Sequence, residues 1–265
     1  MKKVAIIGSK GFIGRHLNWY LKEKMRIQAD CYDVIESEEP NYFKVDMTQL
    51  DSVCQINLAV DYIFFMAGLT GTKQGFDNYQ KYVSINALAL LNLLNAIRCS
   101  EYRPKVVFPS SRLVYKGVDK ALREDDEKES KTIYAVNKLA CEGYLRAYNY
   151  NFDIPYSIFR ICVPYGNMLD NNYSFGTIGF FIKMAEAGND LTLYGGGAIK
   201  RTFTHLEDLC TQLVNGAFNP LSDGKVYNIG GETMTLYDAA KIVAGKYGVK
   251  VLSMPWPIDD LRLES

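Results

Sequence analysis

Ser111 and the run Tyr134-Ala135-Val136-Asn137-Lys138 supply a hydroxyl, a phenol and an ammonium to one region of the chain. A free phenol has a pKa near ~10 and is a poor base at neutral pH. An ammonium close by favours the phenolate, and four residues make about one helical turn, so Lys138 can share a helix face with Tyr134. Tyr134 could then take the proton of a substrate hydroxyl while Ser111 holds that oxygen and the carbon gives up a hydride. In a chain with 19 tyrosines a Tyr-x-x-x-Lys alone carries little weight. Its weight comes from order: a glycine cluster, an acid and a strand-borne serine all precede it.

The glycine cluster is Gly8-Ser9-Lys10-Gly11-Phe12-Ile13-Gly14, between the first predicted strand and the first predicted helix. A tight turn without Cβ atoms brings backbone N–H groups and the positive end of a helix dipole up to a pyrophosphate. Gly8, Gly11, Phe12, Ile13 and Gly14 form the expected cofactor cradle. Asp33 follows about 20 residues after Gly14, where a carboxylate accepts bonds from an adenosine ribose and repels a 2′-phosphate. NAD is therefore expected in preference to NADP, and Val34 and Ile35 follow where a phosphate-pairing Arg would otherwise stand. Asp30 is a nearby competing acid, although it falls within the predicted strand that Asp33 follows.

The elements that must position these groups alternate. Val4-Ala5-Ile6-Ile7 is a continuous apolar run of the kind a strand covered on both faces requires. Phe12 to Met25 has helical spacing through Ile13, Leu17 and Leu21. Further strands are expected at Ile27 to Tyr32, Tyr42 to Val45, Tyr62 to Met66, Val106 to Phe108 and Tyr156 to Arg160. Long helices are expected at Tyr79 to Cys99, with Ile85, Leu88, Leu91 and Leu94 as the buried stripe, and at Tyr134 to Tyr148. The acidic run Glu124-Asp125-Asp126-Glu127 is a solvated loop, since four adjacent acids cannot all face one ion, and no metal site is expected. The pattern implies an α/β fold: a Rossmann-type doubly wound parallel sheet with a smaller, interleaved C-terminal substrate lobe. Residues 1–165, rejoined by 202–232, are expected to build the NAD-binding sheet, and 166–201 with 233–265 the lobe.

Thirty basic and thirty acidic residues balance to a formal charge of zero. No long basic run points to nucleic acid or to an anionic membrane surface. The apolar runs are interrupted before membrane-spanning length, and Met1-Lys2-Lys3 leads into a strand instead of a signal-peptide core, so a cytoplasmic protein is expected. Cys31, Cys54, Cys99, Cys141, Cys162 and Cys210 are scattered without C-x-x-C pairs, the pattern of reduced thiols mostly held in a core.

Five stretches in this order resemble the extended short-chain dehydrogenase/reductase family, and within it the nucleotide-sugar epimerases and dehydratases. They are Gly8-x-x-Gly11-x-x-Gly14, Pro109 to Tyr115, Tyr134-x-x-x-Lys138, Arg160-x-x-Val163-Pro164-Tyr165-Gly166, and Arg201-x-Phe203-x-His205-x-x-Asp208. The resemblance covers nearly the whole chain. It implies Ser111, Tyr134 and Lys138 as the catalytic groups, with Tyr134 and Lys138 also touching the cofactor. It places Asp46 and Met47 by the adenine, Ala67 and Gly68 along the cofactor path, Asn86 in support, and Val163 at the nicotinamide end. For a nucleoside diphosphate sugar it implies Ser111, Arg112, Tyr194 and Arg201, with Arg201 pairing phosphate oxygens. Pairing of Arg201 with Asp208 is the alternative, and His205 reads as structural. The family often forms homodimers through its two long helices, here Tyr79 to Cys99 and Tyr134 to Tyr148.

Departures from the family narrow the chemistry. Dehydratases carry an acid pair after the catalytic Ser or Thr, where this chain has Arg112 and Leu113. Members that epimerise at C3 and C5 use a Cys at the position of Leu113, and Val163 replaces a common Asn. Two enzyme readings remain: C4 epimerisation of a nucleoside diphosphate sugar through a transient ketone, and reduction of a 4-keto sugar nucleotide by NAD(P)H. A catalytically silent NAD-binding protein is the third. Ser265 comes early for this family, which fits a shortened chain or a reduced lobe.

Overall fold

Apolar strands that need cover on both faces build a seven-stranded sheet in which every pairing is parallel. In the computed structural model, which describes residues 2–170 and 175–257, the first strands are β1 (Val4–Ile7), β2 (Asp30–Asp33), β3 (Tyr42–Lys44), β4 (Tyr62–Phe65), β5 (Lys105–Ser111) and β6 (Tyr156–Ile161). Then come β7 (Val163–Tyr165), β8 (Leu191–Tyr194), β9 (Lys200–His205), β10 (Lys225–Asn228), β11 (Glu232–Thr235) and β12 (Val251–Met254). The large sheet has the order β10-β6-β5-β4-β1-β2-β3. Its strand order reverses between β1 and β4, the switch point where sheets of this kind form a crevice at the strand C-termini. The expected doubly wound α/β sheet is thus present.

The chain divides into two compact units. One comprises Met1–Ile161 and Cys210–Asn228 and holds the large sheet; the other comprises Cys162–Leu209 and Ile229–Ser265. The second contains a three-stranded sheet β11-β9-β7 and a parallel pair β12-β8. A separate small core of Phe181, Leu191, Leu193, Ala240 and Val243 supports it.

The long helix Tyr79–Cys99 departs from its expected phase. Its middle turn, Ser84–Leu88, is a π-helix, flanked by α-helix at Tyr79–Val83 and Ala89–Cys99. The wider turn rotates the register, so Leu88 is 43% exposed while Asn86, Ala87, Leu90, Leu93 and Leu94 are buried. By length and composition this helix could cross a membrane, but half of its apolar window is buried inside the protein. Leu90, Leu93, Leu94 and Ile97 belong to the same core as Ile7, Phe65 and Phe108 of the sheet. Of the six free cysteines only Cys31, Cys141 and Cys210 are buried, whereas Cys54 and Cys99 are exposed.

Candidate functional site

The glycine turn closes tightly on the sheet. Gly8 has φ +83°, a conformation that favours glycine, and a Cβ there would lie 2.4 Å from Ala67 N. A Cβ on Gly14 would lie 2.1 Å from Gly8 O. Gly8 N and Ser9 N both donate to Tyr32 O, at 2.8 and 3.1 Å, which pins the turn to β2. The helix that follows, Phe12–Glu23, has no side-chain cap at Gly11 and no acid in its first turn. Its first N–H groups and dipole end are therefore suited to an anion. Gly14 is buried within this helix, while Phe12 and Ile13 are half-buried in its first turn.

Beside this turn, at the ends of β1 and β4, is a cavity of about 490 Å³. Of the residues singled out in the sequence, Gly8, Gly11, Asp33, Asp46, Met47, Ala67 and Gly68 line it. Sequence reasoning missed the apolar walls formed by Val45, Met66, Leu69, Ile85 and Ala89, and also missed Lys10. Asp33 is the last residue of β2 and accepts from Lys10 N and Val34 N, both at 2.8 Å. Asp30 begins that strand and accepts from Asn57 Nδ2 at 3.1 Å. Asp46 accepts from Thr48 N and Oγ1, and Met47 O accepts from the buried Asn92, a support that one polar residue in an apolar helix could have signalled. A glycine turn that tolerates no Cβ, open helix N–H groups and an acid-edged apolar cavity are what a dinucleotide requires, and these residues fit NAD.

Asn86 sits on the π turn, and its amide grips one residue with both hands. Its Oδ1 accepts from Leu69 N at 2.6 Å and its Nδ2 donates to Leu69 O at 3.0 Å. The backbone carbonyl of Asn86 accepts from Cys141 Sγ on the helix Ile133–Phe152. Asn86 thus fixes the cavity wall after β4.

Ser111, Tyr134 and Lys138 are brought together by a ladder between β5 and the helix Ile133–Phe152. Thr132 caps that helix by accepting from Ala135 N. Residues 134, 138 and 142 then follow at one-turn spacing on one face. Ser111 stands close enough to Tyr134 to pull its phenol pKa down, Lys138 Nζ donates to Pro109 O at 2.7 Å, and Glu142 Oε1 accepts from Ser110 Oγ at 2.6 Å. Three consecutive strand residues therefore meet three successive turns of helix. The Lys138 ammonium also stands 5.8 Å from the centre of the Tyr134 ring.

The electrostatics differ from the expectation in one respect. Burial is the largest influence on Tyr134 and pushes its phenol up to about 12, against the opposing pull of Ser111. Lys138 is not among the groups that move it. Burial also pushes Lys138 down to about 8. In this arrangement the phenol keeps its proton at neutral pH.

Behind the ladder, Arg160 on β6 makes a two-pronged bond to Glu142, Nε to Oε1 at 2.9 Å and Nη2 to Oε2 at 2.7 Å. Arg160 Nη1 also donates to Tyr115 Oη and to Glu124 O. Packing at the core edge was the default for Arg160, and the structure makes it half of a buried ion pair. Glu124, expected in a solvated loop, accepts from Asn228 N at 2.7 Å, so the acidic run is partly structural. Hydrogen bonds from Arg160 and Ser110 hold the Glu142 carboxyl below the usual range despite burial.

Of the remaining candidates all but Arg112 lie in the second unit. Val163 is half-buried in β7, in register with Phe203, and Arg201 in β9 is half-buried with Nη1 donating to Lys200 O. Tyr194 ends β8 at 44% exposure, with its ring 5.4 Å from that of Trp256. His205 Nδ1 accepts from Glu207 N, and the ring packs so closely on Gly166 that a Cβ there would sit 2.5 Å away, a structural role. Arg112 is half-buried in a short 3-10 turn directly after Ser111. Among the described residues no group of three or more His, Cys, Asp or Glu side chains could hold a metal ion.

A Rossmann-type sheet, a dinucleotide-shaped cavity and a Ser-Tyr-Lys set define a dinucleotide-dependent enzyme fold of the short-chain dehydrogenase type. Residues 4–230 match the NAD dependent epimerase/dehydratase family, and the chain belongs to it. A Bacillus subtilis relative, described as an uncharacterized UDP-glucose epimerase, YtcB, is 28% identical over 86% of this chain and 77% of its own length. Two solved structures share the fold. The Thermus thermophilus UDP-glucose 4-epimerase, in complex with NAD, superposes with a TM-score of 0.82 at 23% identity, over 96% of this chain and 86% of its own. The Bacillus cereus UDP-glucuronic acid 4-epimerase, in complex with UDP-glucuronic acid and NAD, gives a TM-score of 0.85 at 23% identity with the same coverage.

Proposed function

We propose that the protein is an NAD-dependent epimerase that inverts C4 of a nucleoside diphosphate sugar through a transient 4-keto intermediate. The observation that carries this reading is the ladder that sets Ser111, Tyr134 and Lys138 against one another at the end of β5. Gly8, Gly11, Asp33, Asp46, Met47, Ala67 and Gly68 would hold NAD, with the first turn of the helix Phe12–Glu23 at its phosphates and Asn86 fixing the wall. When bound, NAD supplies a hydride acceptor that can return the hydride, and a positive ring that favours the phenolate. Tyr134 takes the sugar hydroxyl proton onto its oxygen and later gives it back; Ser111 donates to the same substrate oxygen. Lys138, whose ammonium stands 5.8 Å from the centre of the Tyr134 ring, would hold the nicotinamide ribose. Arg112 and Leu113 stand where eliminating enzymes carry acids, so oxidation and reduction proceed without loss of water.

On the second unit, Arg201 is assigned to the diphosphate and Tyr194 to the nucleoside, a guanidinium being suited to paired phosphate oxygens. Val163 is assigned to the nicotinamide end. Exposed Tyr79, Val83, Leu88 and Val136 on the two long helices support a homodimer, which light scattering at known concentration tests.

The decisive experiment incubates the protein with a panel of nucleoside diphosphate sugars without added reductant and follows isomerisation by NMR. A second arm offers 4-keto sugar nucleotides with NADH or NADPH. Product only in the second arm would replace epimerisation by net reduction. Tyr134→Phe is expected to abolish turnover while leaving NAD affinity intact, and proportional loss of both would remove Tyr134 from the chemistry.

A further inference from the structure

The rim of the cavity carries charge of both signs. Asp33 and Asp46 line it, and Lys10 is the one cation among the described residues that do. That cation is already engaged. Its Nζ lies 2.5 Å from Glu39 Oε1 and 4.8 Å from the centre of the Tyr42 ring. Glu39 belongs to the segment 34–41 that follows β2. The segment is tied down in two further places: Tyr42 Oη donates to Ile35 O, and Glu36 pairs with Lys44. Meanwhile Lys10 N donates to Asp33 Oδ2, so the backbone of Lys10 orients the carboxylate while Glu39 restrains its side chain.

We propose that Glu39 is a determinant of dinucleotide choice: by holding the Lys10 ammonium it denies the cavity rim a cation that would otherwise meet a 2′-phosphate. The proposal rests on the reading that this cavity holds a dinucleotide. Asp33 alone disfavours a 2′-phosphate, which carries between one and two negative charges at neutral pH. A free Lys10 beside it would offset much of that repulsion. With Glu39 in place the rim holds one neutralised cation and two carboxylates, and NADP meets net negative charge. Without the Glu39 charge, Lys10 can turn from the 34–41 segment toward a bound anion, while its backbone bond to Asp33 stays in place. Both side chains reach solvent, so the substitution perturbs no core: Lys10 is 22% exposed and Glu39 59%.

The test is calorimetric titration of NAD and NADP into wild type, Glu39→Gln, and Glu39→Gln with Lys10→Met. Glu39→Gln should tighten NADP about fivefold, equivalent to ~1 kcal/mol, the size of an exposed ion pair. NAD affinity should stay within about twofold, and the NADP gain should shrink as salt is raised. The double variant should return NADP affinity to the wild-type value. An unchanged NADP-to-NAD ratio in Glu39→Gln, or an equal gain for both dinucleotides, would overturn the role of Glu39. A wild-type protein that binds neither dinucleotide would overturn the reading of the cavity, and the proposal with it.

Discussion

Lys138 should make the protein less stable than it could be, and its replacement by Met should show by how much. The side chain is 4% exposed, and burial pushes its ammonium from 10.5 down to about 8. At 1.36 kcal/mol for each pKa unit, holding that proton at pH 7 costs the folded state ~3 kcal/mol. Met is unbranched, close in length and uncharged, so it removes this cost. It also removes the hydrogen bond to Pro109 O, worth ~1 kcal/mol. The net expectation is a stabilisation of ~2 kcal/mol at pH 7 in a variant without activity. The pH dependence has a definite sign. Between about 8 and 10.5 the unfolded lysine keeps its proton while the folded one has lost it, so the contribution of Lys138 to wild-type stability rises with pH across this window. By pH 9.5 the remaining cost matches the lost hydrogen bond, and the advantage of Met should fall to about zero. Cys31 and Cys141, raised from 9.0 to about 11 and about 12, and Tyr134, raised to about 12, oppose the trend above their unfolded values, but they are present in both proteins and largely cancel in the difference between wild type and Lys138→Met at pH 7 and 9.5. Urea unfolding with linear extrapolation measures it. The chain has 2 tryptophans, Trp19 in the sheet unit and Trp256 in the other, so a Trp256→Phe background lets Trp19 fluorescence report the relevant unit alone. If Lys138→Met is destabilised equally at pH 7 and pH 9.5, the buried ammonium carries no desolvation cost and the reasoning fails.

Other expectations follow from the same geometry. Glu142→Gln leaves Arg160 buried without its counter-charge and should cost ~3–5 kcal/mol in urea unfolding; replacing both by Leu and Met should recover most of it, and a double variant as unstable as the single would argue against charge as the cause. Because Glu142 is held below its ordinary range, the stability it supplies is present above that range and lost as pH falls through its folded value, a step that Glu142→Gln should erase from the acid unfolding curve. Gly14→Ala puts a Cβ against Gly8 O and should cost ~3 kcal/mol, a fall of roughly 6–12 °C in Tm; a calorimetric Tm within two degrees of wild type would show that the turn yields.

Much of the sheet unit was legible because its signals are local. Val4 to Ile7, the glycine turn and the spacing of Tyr134 and Lys138 each report a single backbone requirement, and each stands where the pattern placed it. What stayed hidden depends on contacts between distant residues. Nothing near Arg160 announces Glu142, which lies in another element, and a charged residue in a strand reads as an edge. The pKa of Tyr134 was misread for the same reason: spacing reveals the ammonium one turn away but not the depth of burial that outweighs it. The stripe on Tyr79–Cys99 slipped because a 3.6-residue period assumes an unbroken α-helix. Lys10 escaped notice because its role depends on Glu39, in an irregular segment with no periodicity to follow.

The π turn at Ser84–Leu88 carries a consequence for how this chain tolerates insertion and deletion. A π turn is an α-helix with one residue too many. Removing one residue there would restore an ordinary helix and swing everything before it by about 100° relative to everything after it. Asn86 could then no longer present its amide to Leu69, although every other residue of the helix would still be present. In a deletion scan this solvent-touched stretch should therefore behave like a reading frame, with substitutions tolerated at Leu88 and the loss of any one residue not.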